Sequence, residues 1–175
     1  MRIGKDIFKE SESFKNVEKD FGYIASKIIQ DEKLLKLLSL QENREEDLTA
    51  QEKKEIMKKC VRFVPKLTNI TETDWSYVVV GFDNFLPNEN NPEHRDKLLV
   101  FDIICNLDTW DMDDFKIRPY QIAGRLDVLF DQKDLCGTYA VHFASATYSP
   151  INSEIAGVTL IYSVTYGKDA DRYDD

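Results

Sequence analysis

Glycine and proline are scarce in this chain of 175 residues, at seven and five. That excludes collagen-like repeats and Pro/Gly-rich low-complexity segments. The three cysteines, Cys60, Cys105 and Cys136, are odd in number and widely separated. Such spacing fits neither a disulfide framework nor a zinc site, and all three read as small hydrophobes. There are only two histidines, His94 and His142. Neither has a locally coupled carboxylate, so acid–base catalysis lacks its commonest residue in a working setting. No serine sits in a Gly-flanked nucleophile elbow, and no glycine-rich phosphate loop occurs. No run of about 18 apolar residues is present, so no transmembrane helix is expected. The start Met1-Arg2-Ile3-Gly4-Lys5-Asp6 lacks the apolar stretch of a signal peptide, which predicts a protein that stays on the cytoplasmic side. No cofactor and no metal is implied.

What the chain does have is charge and aromatic residues. Charged residues make up 31% and the formal net charge is −9, with ten Phe, eight Tyr and two Trp. The charge is unevenly placed. Residues 1–60 carry 13 Lys/Arg against 13 Asp/Glu, and residues 61–175 carry 10 against 19. An acidic second part offers no basic stripe for phosphate contacts, so sequence-specific nucleic-acid binding is not expected. A domain of about 150 residues typically hides roughly 68–70% of its unfolded surface, enough for a core without staples.

Residues 1–60 read as a helical extension. Phe14, Val17, Phe21, Ile24, Ile28 and Ile29 follow Ser13 at helical spacing, with Ser13 as candidate N-cap. A second short helix restarts at Asp31-Glu32, or the first continues, to Leu40. Thr49-Ala50-Gln51-Glu52 is a capping box opening a third helix to about Lys59. Its face is weakly apolar, with Ile56 and Met57, as suits a surface connector.

Residues 61–167 change to strand periodicity. The run from Val61 to Pro65 alternates, but its proline marks an edge or strand end. The run from Trp75 to Phe82 is apolar on both faces, as in a strand covered on both sides or used between subunits. After a loop over 84–96, Leu99, Phe101, Ile103, Cys105 and Leu107 share one face of a strand, with Asp102 and Asn106 on the other. Pro119 sits at a helix start, and Ile122, Ala123, Leu126, Leu129 and Phe130 make the stripe that packs this helix on the sheet. Two further strands cover 139–148 and 155–166, the second with Ala156, Val158, Leu160, Tyr162 and Val164 on its core face. Residues 168–175 form an acidic tail. The order α-α-β-β-β-α-β-β predicts an α+β domain: N-terminal helices, then a mostly antiparallel sheet with one helix packed on it.

Four candidate features stand out for function. Asp108, Asp111, Asp113 and Asp114 supply oxygen ligands in one short stretch, but without the glycine turn and late bidentate Glu of a calcium loop. They read as solvated carboxylates before a helix, and a small metal-dependent hydrolase using loop 108–114 is the alternative of a different class. The loop 85–96, with Phe85, Leu86, His94 and Arg95, is long enough to be a binding or assembly element. Trp75, Tyr77 and Trp110 are candidate interface anchors, though Trp75 would be core in a monomer.

The segment His94-Arg95-Asp96-Lys97-Leu98-Leu99-Val100-Phe101-Asp102-Ile103-Ile104-Cys105, then Trp110, then 118–130, resembles small structural proteins of tailed bacteriophages. It is most similar to the tail-terminator and neck proteins. The resemblance covers about residues 61–166. It implies a non-enzymatic virion subunit, made in the host cytoplasm, that forms a ring with copies of itself, commonly a homohexamer. Such a ring ends the tail tube, so the implied partners are the tail-tube protein and a head–tail connector or stopper. A portal-side adaptor or stopper is the nearest alternative. The resemblance further implies a lumen through which DNA passes, and acidic residues facing it would keep phosphates from sticking. No membrane partner is implied.

Overall fold

The computed structural model describes residues 12–63, 75–89, 95–135 and 139–166. His94, Pro65, Cys136 and the tail 168–175 lie outside them. Three helices come first: α1 (Glu12–Gln30), α2 (Glu32–Leu38) and α3 (Ala50–Cys60). Then follow β1 (Val61–Arg62), β2 (Tyr77–Pro87), β3 (Arg95–Asn106), α4 (Arg118–Phe130), β4 (Asp134–Leu135), β5 (Tyr139–Pro150) and β6 (Ile155–Tyr166). The protein is thus α+β, as the periodicity predicts.

Helix boundaries follow local chemistry. Ser13, the candidate cap, lies inside α1. Asp31 breaks α1 from α2 by taking extended backbone and accepting the Leu34 amide through its carboxylate. Thr49 and Glu52 form the reciprocal capping box at the start of α3, the kind of cap whose loss costs about 0.5–2 kcal/mol. Contrary to the expected surface connector, α3 buries Ile56 and Cys60 against the core.

The sheet runs β1-β2-β3-β6-β5-β4. Among the described residues, only β1 and β2 pair in parallel, and every other neighbour is antiparallel. Val78, Val80, Leu99, Phe101, Ile103, Cys105, Val158, Leu160, Tyr162 and Val164 point to the helix-bearing face and are buried. There they meet Ile122, Leu126 and Phe130 of α4 and Ile24, Ile28, Leu34, Leu35 and Leu38 of α1 and α2. One apolar cluster therefore draws on both sides of residue 60. Leu107, expected on the core face of β3, instead starts a 3-10 turn and is exposed, because the strand ends at Asn106.

Polar groups fix how the helices sit on the sheet. Lys97 of β3 and Asp20 of α1 form an ion pair with both side chains almost wholly buried. The Lys97 ammonium also lies 4.1 Å from the centre of the Phe82 ring. Arg118 of α4 donates to Glu42 and to the Leu37 carbonyl, while Arg125 pairs with Asp31. On the outside, Glu32 bridges Lys53 at 2.8 Å and Lys36 at 3.0 Å. These contacts hold its carboxyl down at about 2, Lys53 first and Lys36 second. Glu52 is held at about 2 by Arg44 and by the Thr49 backbone and hydroxyl.

Two outcomes are expected. Removing one member of a buried pair leaves an uncompensated charge, so Lys97→Met should cost about 3–5 kcal/mol in a urea melt. The double variant Asp20→Leu/Lys97→Met should recover most of that loss. A carboxylate whose folded pKa lies below its unfolded value adds stability that is full above the unfolded value and is lost as pH falls through the folded one. The stability gap between wild type and Glu32→Gln/Glu52→Gln should therefore be full above pH 4.5 and close as pH falls from 4.5 to about 2. A gap that stays constant over that range would contradict the two ion-pair clusters.

Candidate functional site

The sequence-derived candidates separate into three places. Tyr77 belongs to the sheet face away from the helices, and Trp75, just before β2, packs against both that face's cluster and the main core. Tyr77 is buried with Val79, Ile104 and Ile155, and Trp75 packs over this cluster, half-buried. The Lys59 ammonium sits 4.1 Å from the Trp75 ring centre. Phe85, Leu86 and Arg95 are strand residues, not loop residues. Strand β2 continues through a bulge beyond Asp83, where Asn84 takes a positive φ of 52°, and Leu86 then pairs with Asp96 and Pro87 with Arg95. The sequence pattern hid this, because the bulge breaks the two-residue alternation by which a strand is recognised. Phe85 lines an apolar groove of about 440 Å³ with Phe21, Phe63 and Phe82, and Leu86 is exposed.

The third place is the turn before α4. Asp111, Asp113 and Asp114 are all exposed. Asp111 bridges Ile117, and the Met112 amide donates to the Lys116 carbonyl at 2.9 Å, which closes a tight loop. At its tip Asp114 and Phe115 both have positive φ, 61° and 59°, and the Phe115 ring is wholly in solvent. Among the described residues, no group of three or more His, Cys, Asp or Glu is placed to hold a metal ion. Trp110 anchors the base of the loop, half-buried, with its ring edge-on to Tyr148 at 6.0 Å.

Tyr148 leads to the surface that the sequence candidates missed. Among the described residues, strand β5 is covered on its outer side only at its start. Strand β4 pairs with Tyr139 and Ala140, the backbone of Gln132 and Lys133 reaches Val141, and the Asp131 carboxylate accepts the Phe143 amide. Among the described residues, nothing pairs with the outer edge over 144–150. Phe143 and Tyr148 are 49% and 52% exposed there, with Ile151 just beyond. No Asp, Glu, Lys or Arg occurs between Asp134 and Glu154, nor between Glu154 and Lys168. Soluble proteins blunt exposed strand edges with charge, and this edge has none. That charge-free stretch in a chain with 31% charged residues was the available signal. Elsewhere the site's buried groups are inert: burial lifts the Cys60 thiol to about 12 and the Cys105 thiol to about 11.

Strand β6 positions this edge. Gly157 pairs with Ile104 on one side and Ser149 on the other. A methyl group added to Gly157 would overlap the Ile103 carbonyl oxygen and lie 2.8 Å from its carbon. Thr159 then donates to Asp102 at 2.6 Å and lies 2.8 Å from the Ser149 hydroxyl, tying three strands on the open face.

Architecture and edge together define a small α+β protein with a helix-backed sheet whose strand β5 is, among the described residues, unpaired on its outer side over 144–150. The family model YomW matches residues 31–164, from α2 to β6, and the chain belongs to that family. The family's name comes from a Bacillus SPbeta-type prophage, which points to a phage protein. No curated protein matches the chain.

Gly157→Ala should destabilise the protein by at least about 3 kcal/mol, the upper end for overpacking, because backbone and not a flexible side chain must yield. Chemical denaturation checks this, and a loss under 1 kcal/mol would show that β3 and β6 can separate without cost.

Proposed function

We propose that this chain is a structural subunit of a phage particle that assembles with copies of itself into a ring at the head-proximal end of the tail. There it would end the tail tube and join it to the connector. The observation that carries this reading is the uncharged outer edge of β5. A strand edge with unmet N–H and C=O groups, aromatic side chains beside it and no protective charge is an assembly surface in waiting. The resemblance of residues 61–166 to terminator and neck proteins supplies the location, and the phage-derived family name agrees with the setting. The acidic turn with Asp111, Asp113 and Asp114 stands clear of the core, where it can meet a partner or a DNA channel.

The purified protein should show a mass near six subunits, or form rings once tail tubes are added, with the rings visible by negative-stain imaging. Ala146→Lys places a charge on the exposed edge and should abolish rings while leaving the circular dichroism spectrum unchanged. Co-purification with the tail-tube protein is expected, whereas co-purification with portal would move the subunit to the portal side. A wild-type protein that stays monomeric both free and with tail tubes would refute the ring.

A further inference from the structure

The registers across the sheet say which surface completes the β5 edge. Val61 stands level with Val78, Ile103, Val158 and Tyr148, and Arg62 with Val79, Asp102, Thr159 and Thr147. The short strand on one edge of the sheet therefore lies at the same level as the uncovered stretch on the other edge. The opposite end of β5, at Tyr139 and Ala140, is already occupied by β4. Strand directions match too. Strand β1 runs parallel to β2, while β3, β6 and β5 alternate, so β5 runs opposite to β1.

We infer that β5 of one subunit pairs antiparallel with β1 of the next copy, Thr147 opposite Arg62 and Tyr148 opposite Val61, giving a sheet continuous from subunit to subunit. This rests on the reading of the chain as a self-assembling ring subunit. A ring places every copy the same way up. Set beside its neighbour in that orientation and without sliding along the strands, a copy brings β1 level with Thr147 and Tyr148, inside the stretch 144–150. Pairing of β5 with β5 of a second copy would need the neighbour upside down, because two antiparallel copies of one strand are related by a two-fold axis. The second copy is also the occupant that charge favours. Each chain carries −9, so copies repel over most of their surfaces, and β5 offers a strip with no like charge between Asp134 and Glu154. The approaching β1 brings the positive charge of Arg62.

Paired cysteines test this directly. Directly opposite residues in an antiparallel pair have Cα atoms about 4.5–5.5 Å apart, within the roughly 4.4–6.8 Å span of a disulfide. In a Cys136→Ser background, with Cys60 and Cys105 buried, the double variant Arg62→Cys/Thr147→Cys should cross-link under mild oxidation. The products should form a ladder whose top band gives the ring order. Mixing the two single variants should give dimers only, and each single variant alone should give none. Cross-linking of Thr147→Cys with itself would replace the head-to-tail pairing with a two-fold one and overturn the inference. Rings visible by microscopy without any ladder would overturn the pairing and leave the ring standing. A ladder from a protein absent from phage tails would leave the pairing and the ring standing and overturn the tail role.

Discussion

The uninterrupted ladder between β3 and β6 is the constraint on which the remaining structure depends. Ten residue pairs run from Lys97 and Val164 to Asn106 and Ile155 without a bulge. Both flanking ladders are broken, β2–β3 beyond Asp83 and β5–β6 beyond Phe143. Since side chains alternate across a strand, an unbroken central register fixes which residues of both strands face the helices. A slip of one residue would turn Leu99, Phe101 and Ile103 to the open face and bring Val100, Asp102 and Ile104 into the core. Gly157 guards that register from within, since only a residue without a side chain fits against the Ile103 carbonyl. Lys97 guards it at the end, where its ammonium meets Asp20 and fixes α1 to this one level of the sheet.

The same ladder explains why burial fades toward β5. The helices are centred on β3 and β6, with Phe101 stacked on Phe130 at 5.1 Å and edge-on to Tyr162 at 5.9 Å. The Tyr162 hydroxyl reaches Asp127 on the flank of α4 at 3.0 Å, and burial with that carboxylate pushes its pKa upward. Among the described residues, no helix continues beyond this flank. Phe143 and Tyr148, although on the helix-bearing side through their partners Tyr162 and Val158, are left half in water. An apolar strip that the monomer's own helices stop short of covering, on a strand without charge, is a different object from scattered surface hydrophobics.

Much of the fold was legible because its signals are local. The capping box at Thr49, the restart at Asp31, Pro119 at the head of α4 and the alternation of Leu99, Phe101, Ile103 and Cys105 each carry their physics within a few residues. What was not legible depends on distant partners. The continuation of β2 to Pro87 is set by Asp96 and Arg95 across the bulge. The burial of α3 is set by α1 and α2, which its own weak stripe does not announce. The importance of β5 lies in what does not pair with it, and no window of sequence reports an unpaired edge. Trp75 and Tyr77 illustrate the reverse. Their two-sided apolar strand suggested an interface, and the structure gives Tyr77 a small cluster of its own on the open face.

The two-residue strands at the sheet's margins carry the last step. An edge left open over its whole length can accept a neighbour in many registers, which leads to open-ended aggregation. Here β4 closes one end of β5, and β1 is two residues long on the other margin. A copy docking as proposed would therefore be confined to residues 144–150, and its contact would be short. With one orientation allowed, each added subunit would repeat the same rotation, which gives a ring where that rotation closes and an open helix where it does not. The −9 on every chain opposes association over the remaining surface, so the proposed contact would rest on an edge that carries no charge of its own.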